Sequence, residues 1–476
     1  MGAMTARIEP LRLAIVGGGF TGAVVATHAL TSDARPLSIH VIEPAAKLGL
    51  GAAYGTMDRD HRINVPSDQM SLFTADPTHF TRWLFDNKWL PDAESVDPLG
   101  RCYPPRSAFA AYIEDVLAEG ARRRATRASL RHHQTRAVAL APEDQGFRIE
   151  LEDGASLQVD RVAICTGHVP GAPCRVADDA ARHPRFIASP WTSDSLGAVG
   201  QSDRVLIVGT GLTMVDVAAS LARRDHRGPI VAVSPRGFLP RDQGWFVDGI
   251  DLFEGARPRT ALELLRLLRT TVRQHDGELD WQSIVDALRR RLHQIWPSLP
   301  PRERLRVVRR LTPFWEIHRF RAAPQGAAAV ARLTAQGTLT VERARVIEVD
   351  AQRGSLVARL RLPGGKMVEG AFDTVIICSG ASRNLRDNPL LDSLVGQGLA
   401  ETDDLNFGVR ADECSRLIDA SGTVQPDLFA FGPITRGTFG EMTGAPDILR
   451  QIERVIPIVT EMETATQSVG LSAVAV

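Results

Sequence analysis

The chain has 476 residues, 44% of them hydrophobic, and 56 lysines and arginines balance 56 aspartates and glutamates. This length supports two or three domain-sized cores, and the absence of net charge gives no electrostatic basis for binding nucleic acid or a membrane surface. Residues 13–30 approach the length of a membrane span but contain four glycines and His28. We therefore expect a soluble, cytoplasmic enzyme that binds neither nucleic acid nor membrane.

The first predicted element is a strand that enters a glycine-rich turn and a helix, at residues 14–22 (AIVGGGFTG). Gly17 allows the tight turn, Gly19 lets the backbone approach a pyrophosphate, and Gly22 lets the helix pack against the strand. The helix begins at Phe20 and Thr21, with its N-terminus facing the negative charge. This context predicts a bound dinucleotide.

The second predicted strand, Leu37–Ile42, ends in an acidic residue, Glu43. An acid placed about 20 residues after such a turn accepts hydrogen bonds from a ribose diol and disfavours a 2′-phosphate. The N-terminal part of the chain is therefore predicted to hold FAD or NAD rather than NADP.

Two later strands are near copies of each other, residues 161–167 (RVAICTG) and 374–380 (TVIICSG). Each ends in small residues, such as Thr166 and Gly167, which let the backbone run close to a cofactor. We expect these strand ends where the chain passes between domains. The prediction is an α/β protein with an FAD-binding domain at 1–195 and 341–476 and an NADPH-binding domain inserted at 196–340.

A second glycine-rich turn lies at residues 205–214 (VLIVGTGLTM). Gly209 and Gly211 match the first two glycines of the pattern, and a helix is predicted from Leu212 and Thr213. Met214 stands at the third glycine position, so the helix must pack at a slightly greater distance or the turn must differ. Two such turns in one chain predict two Rossmann-like dinucleotide-binding domains.

The strand after the second turn, residues 229–233, is followed by Ser234 and Arg236 instead of an acid. A hydroxyl and a guanidinium suit the 2′-phosphate of NADP, because arginine pairs with phosphate in a bidentate way. We therefore expect NADPH rather than NADH. The alternative for Arg236 is an ordinary exposed arginine.

Residues 258–335 are predicted to form a helical subdomain, because leucine, isoleucine and valine recur there at helical spacing. Gly277 and the prolines of 297–301 divide it. The subdomain would cover a cleft or contact a second subunit, which leaves a homo-oligomer open. Within it, Arg319 and Arg321 are candidates for binding a substrate carboxylate. The alternative is a packed aromatic segment with surface arginines.

The five cysteines are Cys102, Cys165, Cys174, Cys378 and Cys414. They form no CxxC pair and no closely spaced metal-ligand set. This spacing argues against a flavin-dependent disulfide reductase and against a zinc or iron–sulfur protein, and no metal is predicted. Cys165 and Cys378 each end an apolar strand and are expected to be buried fillers.

Five motifs together carry a resemblance to known proteins. They are residues 49–54 (GLGAAY), 63–71 (INVPSDQMS), 186–191 (FIASPW), 209–216 (GTGLTMVD) and 431–438 (FGPITRGT). Their order resembles the two-dinucleotide flavoproteins that include N-hydroxylating, flavin-containing and Baeyer–Villiger monooxygenases. More closely, the chain is similar to a family of FAD/NAD(P)-binding proteins that includes nitrosuccinate-forming aspartate N-monooxygenases.

The resemblance implies roles for several residues around the flavin. Residues 64–71, beginning at Asn64, would lie beside the isoalloxazine, where Gln69 would bind flavin or nicotinamide and Met70 would pack on the ring. Trp191 ends a segment where Baeyer–Villiger enzymes carry a histidine-containing fingerprint, and the missing histidine argues against that reaction. The remaining FAD contacts implied are Tyr54, Gly432 and Arg436.

The resemblance also implies a reaction. NADPH would reduce FAD, and the reduced flavin would react with O₂ to give a C4a-hydroperoxide that oxygenates the nitrogen or sulfur of a small amine or amino acid. No dedicated acid or base is required. Two alternatives remain: an NADPH-dependent flavin reductase or oxidase that inserts no oxygen, and a nucleotide-loaded, non-enzymatic redox sensor or partner protein.

Overall fold

The computed structural model describes residues 9–32, 35–89, 93–123, 127–167, 171, 174–192, 194–244, 249–352, 354–380, 382 and 384–461. Residues 462–476, the end of the third predicted segment, lie outside this set. Within the described residues, no helix combines the length and the apolar character needed to cross a membrane.

The described residues form eighteen strands, some separated by helices and others in uninterrupted runs. In chain order they are β1 (Leu11–Val16), β2 (Leu37–Ile42), β3 (Ala128–His133), β4 (Ala137–Pro142), β5 (Phe147–Leu151), β6 (Ser156–Val159), β7 (Arg161–Ile164), β8 (Arg175–Val176), β9 (Phe186–Ile187), β10 (Val205–Val208), β11 (Ile230–Ser234), β12 (Leu339–Arg343), β13 (Arg345–Gln352), β14 (Ser355–Arg361), β15 (Met367–Phe372), β16 (Thr374–Ile377), β17 (Arg416–Ile418) and β18 (Val424–Ala430).

The helices fall into two sets, those that cover the sheets and those of one long insertion. In chain order they are α1 (Phe20–Thr31), α2 (Gly51–Tyr54), α3 (His79–Asp86), α4 (Arg106–Arg123), α5 (Asp178–Ala181), α6 (Leu212–Arg223), α7 (Ala261–Gln274), α8 (Trp281–Ser298), α9 (Pro301–Arg310), α10 (Thr312–Arg319), α11 (Pro324–Ala335), α12 (Pro389–Gly396), α13 (Arg436–Phe439) and α14 (Ala445–Thr460).

The first sheet has the strand order β17-β18-β7-β1-β2-β3. Strands β1, β2, β3, β7 and β18 run parallel, and β1 is buried on both faces. A parallel sheet needs cover on both sides, which explains why its central strands are continuous apolar runs. Helices α1, α4 and α14 cover one face, and the β4–β6 meander with α12 covers the other.

The second sheet has the order β12-β11-β10-β16-β9, and all of its pairs are parallel. Helices α6 and α11 pack on one face. A four-stranded sheet of β15, β14, β13 and β8 packs on the other face. The α/β fold with two dinucleotide-type sheets is confirmed, including β2 at the predicted residues.

The predicted domain boundaries at 195 and 340 differ from the sheet boundaries. Strands β9 and β16 both lie in the second sheet, and β8 pairs with β13 beside it. The chain therefore leaves the first sheet after Ile164 and returns to it after Ile377. The physical reason is that the strand before each glycine turn, β1 or β10, has a parallel neighbour on both sides. One of these two neighbours comes from a distant part of the chain. The near-copy segments supply β7 to the first sheet and β16 to the second.

The helical subdomain, α7 to α11, lies between β11 and β12, which are adjacent parallel strands. Its core includes Ile284, Leu288, Leu292 and Ile295, as the helical spacing predicts. Gly277 takes a left-handed φ of 81° between α7 and α8. Helix α8 runs one residue past Pro297, and the break comes at Leu299.

A buried arginine at the start of β7 binds the C-terminal part of the chain, namely β18 and the end of α14. Arg161, at the start of β7, donates from Nη1 to the carbonyls of Ile458 (2.7 Å), Val459 (3.0 Å) and Glu461 (2.6 Å). Its Nε donates to Asp427 Oδ1 at 2.7 Å. The last carbonyls of a helix have no partner within the helix, so this guanidinium caps α14.

We expect Arg161→Met to lower the free energy of unfolding by about 3 kcal/mol, because it leaves buried helix carbonyls and a carboxylate without donors. Denaturant unfolding of the full chain measures the change. Arg148→Met is the matched control, since exposed Arg148 makes only surface ion pairs, and it should change stability by less than about 0.5 kcal/mol. Equal effects of the two substitutions would contradict the capping role.

Candidate functional site

The first glycine turn is a place where three backbone segments approach too closely for side chains. Gly17 has φ 98°, and a Cβ on it would lie 2.6 Å from the carbonyl oxygen of Cys165, just after β7. A Cβ on Gly22 would lie 1.8 Å from the carbonyl oxygen of Gly17. Both positions therefore require glycine, and the turn, β7 and α1 form one rigid cradle.

Helix α1 begins at this cradle without a side-chain cap. Gly19 is its N-cap, and Phe20 and Thr21 form its first turn. The unpaired N–H groups of a first turn bind anions such as a pyrophosphate. Gly51, at the start of α2, lies close by, because a Cβ on Gly19 would be 3.3 Å from its Cα.

Glu43 follows β2 and lies against the same turn. Its carboxylate accepts hydrogen bonds from the backbone N–H of Gly18 at 2.8 Å and of Ala45 at 3.0 Å. These two bonds hold the carboxylate at the carboxyl edge of the first sheet, with further lone pairs available to a ribose diol. Its role as a ribose ligand stays a prediction.

The end of β7 supplies an unsatisfied polar atom beside the cradle. The hydroxyl oxygen of Thr166 is buried and has no hydrogen-bond partner among the described residues, and Gly167 follows with φ 67°. Buried hydroxyls are normally paired, so an orphan at a glycine cradle indicates a missing partner such as a bound ligand. The donor set and the cradle together fit the dinucleotide part of FAD.

The C-terminal segment reaches the same turn through Gly432. This glycine has φ 74°, and a Cβ on it would lie 2.7 Å from Thr21 Oγ1. Its N–H donates to Gln451 Oε1 at 2.9 Å. Gln451 of α14 is 2% exposed and holds the Gly432 backbone against the turn. Its role was not predicted from the sequence. Arg436 packs its guanidinium 4.6 Å from the Phe407 ring centre.

Tyr54 ends α2 and packs against the first turn of α1. Its ring centre lies 5.8 Å from that of Phe20 and 4.9 Å from that of Phe109. Burial raises the pKa of Tyr54 to about 12, so the phenol is neutral at physiological pH. Tyr54, Phe20 and Phe109 therefore form an aromatic surface beside the first glycine turn.

The second glycine turn repeats the geometry of the first. Gly209 has φ 117°, and its Cβ would lie 2.3 Å from the carbonyl oxygen of Cys378, just after β16. Gly211 is the N-cap of α6, whose first residues, Leu212 and Thr213, are half-buried. Met214 at the third glycine position is fully buried in the core beneath α6.

The loop after β11 is held by Ser234. Its hydroxyl oxygen accepts from Thr210 Oγ1 at 2.8 Å and from the Gly237 N–H at 3.0 Å. Arg236 in this loop is exposed, with its guanidinium 5.5 Å from the Phe314 ring centre. Ser234 is therefore engaged in shaping the loop, and Arg236 is the group left facing solvent.

Residues 64–71 belong to the unit built on the first sheet (the first unit) and contact the unit built on the second sheet (the second unit). The carbonyl of Asn64 accepts a hydrogen bond from Gln243 Nε2 at 2.8 Å, which ties the segment to the loop after β11. Gln69 is half-buried, whereas Met70 is 4% exposed and packs in the core of the first unit with Phe20. The predicted contacts of Gln69 and Met70 with the flavin ring stay predictions.

Trp191 lies at the interface between the units, in different surroundings from Gln69 and Met70. Its ring centre is 4.7 Å from the guanidinium of Arg106 and 5.2 Å from the imidazole of His61. Arg106 in α4 donates to Asp216 Oδ2 in α6 at 2.6 Å. This ion pair joins the first unit to the second with Trp191 packed on it.

A buried charged cluster joins the helical subdomain to the C-terminal segment. Its members are Asp286, Arg289, Arg319, Arg321, Glu441 and Asp447. Arg319 pairs with Glu441 and donates to Thr443 Oγ1 at 3.0 Å. Burial raises the pKa of Asp447, but Arg289, Arg450 and Arg319 outweigh it and hold that pKa below its usual range.

Part of this cluster has no partner. Arg321 donates from Nη2 to Asp286 Oδ2 at 2.5 Å, but within the described part of the chain its Nη1 and the other oxygen of Asp286 are buried without hydrogen bonds. The fully buried hydroxyl of Tyr103 also has no partner among the described residues, and burial raises its pKa against the positive charges of Arg101 and Arg321. Asp286 and Tyr103 had no sequence signal, because each becomes notable only through burial.

We expect Gly17→Ala to yield protein without bound flavin, because the methyl group would collide with the carbonyl of Cys165. The flavin absorbance of the purified chain measures this. Gly100→Ala is the matched control, since Gly100 has φ 79° but nothing within 4 Å of its Cβ position. Flavin loss in both variants would mean that positive φ alone is responsible.

The Asp216 ion pair predicts a pH dependence of stability. Burial raises the pKa of Asp216 to about 7 against the attraction of Arg106. Folding therefore favours the protonated carboxyl group of Asp216. The resulting gain in unfolding free energy is fully present below about pH 4, the pKa of an unfolded aspartate, and is lost as the pH rises through about 7. We expect wild type to lose stability relative to Asp216→Asn between those values.

The measurement is the difference in unfolding free energy between the two proteins at acidic and neutral pH. His61 is present in both, and burial lowers its pKa to about 4, which acts in the opposite direction. Its contribution cancels in the difference. A constant difference across the range would show that Asp216 does not titrate there.

Comparison with known proteins agrees with this geometry. Residues 14–169 match a protein family described as FAD-NAD(P)-binding. The L-aspartate N-monooxygenase (nitrosuccinate-forming) of Streptomyces cremeus is 26% identical over 284 residues, which is 49% of this chain. The match covers 41% of that relative's length.

Two solved structures share the overall fold. The ornithine N-hydroxylase of Kutzneria sp. 744 has a TM-score of 0.64 at 14% identity, covering 95% of this chain and 99% of its own. The cadaverine monooxygenase of Erwinia amylovora has a TM-score of 0.64 at 13% identity, covering 98% and 99%. Residues 14–169 are thus similar to the FAD-NAD(P)-binding family, and the chain shares its overall fold with these two solved structures.

Proposed function

We propose that this protein is an FAD-dependent, NADPH-reduced monooxygenase that oxygenates the nitrogen of a small amine or amino acid. The observation that carries the proposal is the presence of two glycine cradles in one chain, Gly17 against Cys165 and Gly209 against Cys378. The relative from Streptomyces cremeus acts on the nitrogen of aspartate, which supports nitrogen as the reacting atom.

The first cradle would hold FAD and the second NADPH. Thr166 and Glu43 would bind FAD at the carboxyl edge of the first sheet, and Gly211 and Arg236 would bind NADPH at the second. FAD supplies the redox chemistry and the activation of O₂ when bound. The residues of this chain place the two cofactors and exclude water from the space between them.

The buried charged cluster is the proposed substrate site. Arg321 Nη1 would donate a hydrogen bond to a substrate carboxylate, and the unpaired oxygen of Asp286 would accept a hydrogen bond from the substrate amine. Leaving a buried donor and a buried acceptor unpaired is costly, and a substrate with both complementary groups would satisfy them. Arg319 also has a buried nitrogen, Nε, without a partner among the described residues, but it pairs with both Glu441 and Asp447. Arg321 pairs with Asp286 and is therefore the stronger candidate of the two arginines.

Two alternatives make different use of the same cofactors. An NADPH-dependent flavin reductase or oxidase would consume NADPH without inserting oxygen. A nucleotide-loaded sensor would bind both cofactors without turnover. A disulfide reductase is disfavoured, because the five cysteines form no CxxC pair and burial raises the pKa of Cys165 and Cys378. The monooxygenase proposal requires only a small-molecule substrate and O₂ as partners.

The test is to reduce the purified protein with NADPH under anaerobic conditions and then add O₂ with candidate amines and amino acids. We expect close to one oxygenated product for each NADPH consumed with the true substrate, and little hydrogen peroxide. Stoichiometric peroxide with every compound would favour the oxidase. Binding of NADPH without flavin reduction would favour the sensor.

We expect Arg321→Lys to raise KM for a carboxylate-bearing substrate by about tenfold or more, because one charged hydrogen bond is lost while the positive charge beside Asp286 remains. NADPH oxidation without substrate should stay unchanged. Arg332→Lys, at an exposed position on α11, is the control. An unchanged KM in Arg321→Lys would exclude Arg321 from the substrate site.

A further inference from the structure

The carboxyl ends of β11 and β12 lie side by side at one edge of the second sheet. The two strands are parallel, with Ser234 opposite Arg343 in the register. In dinucleotide-binding sheets, the ligand lies outside the carboxyl ends of the strands. The end of β12 therefore lies at the same carboxyl edge as the end of β11, one strand farther from the Gly209 turn, although only β11 was considered from the sequence.

Arg343 is positioned by the loop that follows β11. Its Nε faces the carbonyl of Pro235 at 3.4 Å. Gly237, with φ 63°, folds back on it, so that a Cβ on Gly237 would lie 3.5 Å from the Arg343 Cβ. The loop carrying Arg236 is thus packed against the stem of Arg343, which brings two arginines to the same edge.

Neither of these arginines has a carboxylate partner among the described residues. This contrasts with Arg106, Arg289 and Arg321, each of which pairs with an aspartate. Two exposed guanidinium groups at one edge, without an acid to neutralise them, favour a ligand with more than one negative charge. A phosphate monoester has this charge, and arginine matches its geometry.

The helical subdomain adds an aromatic ring to the same edge. Phe314, near the start of α10, is 45% exposed. Its ring centre lies 5.3 Å from that of Phe238 and 5.5 Å from the guanidinium of Arg236. An exposed aromatic ring beside a cationic group is a typical surface on which a nucleobase stacks.

We propose that Arg236, Arg343 and Phe314 form a subsite for 2′-phosphoadenosine, in which the arginines bind the 2′-phosphate and Phe314 stacks on the adenine. The inference rests on the proposed use of NADPH and deepens it. It makes the helical subdomain part of coenzyme selection, because α10 reaches this edge from the insertion between β11 and β12. The same helix ends at Arg319 of the buried charged cluster.

The test is calorimetric titration of the full-length flavoprotein with adenosine 2′,5′-bisphosphate and, separately, with 5′-AMP. We expect wild type to bind the bisphosphate at least about tenfold more tightly, from the charged hydrogen bonds to the 2′-phosphate. Arg343→Ala should remove most of this preference and leave 5′-AMP binding unchanged. Phe314→Ala should weaken both ligands equally, by about fivefold.

Matched controls separate the subsite from general surface effects. Arg332→Ala removes an exposed arginine of the same unit, and Phe85→Ala removes a phenylalanine that is 58% exposed in the first unit. Both should bind the two ligands as wild type does. The proposal is overturned if wild type shows no preference, or if either Arg343→Ala or Phe314→Ala binds both ligands as wild type does.

These outcomes are independent of oxygenation. If the bisphosphate preference follows Arg343 but no substrate is oxygenated, the proposed function fails and the subsite stands. If products are oxygenated but wild type shows no preference and uses NADH as well as NADPH, the subsite fails and the proposed function stands with a different coenzyme.

Discussion

The close approach of a strand end to a glycine turn is the constraint on which the rest of this structure depends. It occurs twice, between Gly17 and Cys165 and between Gly209 and Cys378. A Cβ on each glycine would lie only 2.6 Å or 2.3 Å, respectively, from the carbonyl oxygen of the cysteine. Only glycine allows backbone to pack on backbone at these distances. Each contact aligns a parallel sheet with the N-terminus of a helix, and the two cofactor cradles follow from that alignment.

Charged side chains join the units that these cradles define. Helix α6 of the second unit meets the first unit through Asp216 with Arg106 and through Arg223 with Asp60. The buried charged cluster joins the helical subdomain to the start of α14. Burying charges is costly unless they are paired. Among the described residues, one oxygen of Asp286, Nη1 of Arg321 and Nε of Arg319 are therefore notable as the unpaired atoms of this cluster.

The position of the helical insertion links the two ends of the proposed site. It leaves the second sheet after β11 and returns at β12. Helix α10 consequently places Phe314 at the coenzyme edge and Arg319 in the buried charged cluster. Both proposed subsites therefore depend on the placement of this one helix.

The sequence alone determined the features that depend on local pattern. Gly17 and Gly209 with their flanking strands, Glu43 after β2, and the helical spacing of 258–335 were predictable, because turns and periodicity are read within a few residues. Only the tertiary structure decided that β9 and β16 join the second sheet. Gln451, Asp286, Tyr103 and Arg343 likewise become notable only through partners far along the chain, since burial, strand register and unpaired atoms are properties of the folded chain.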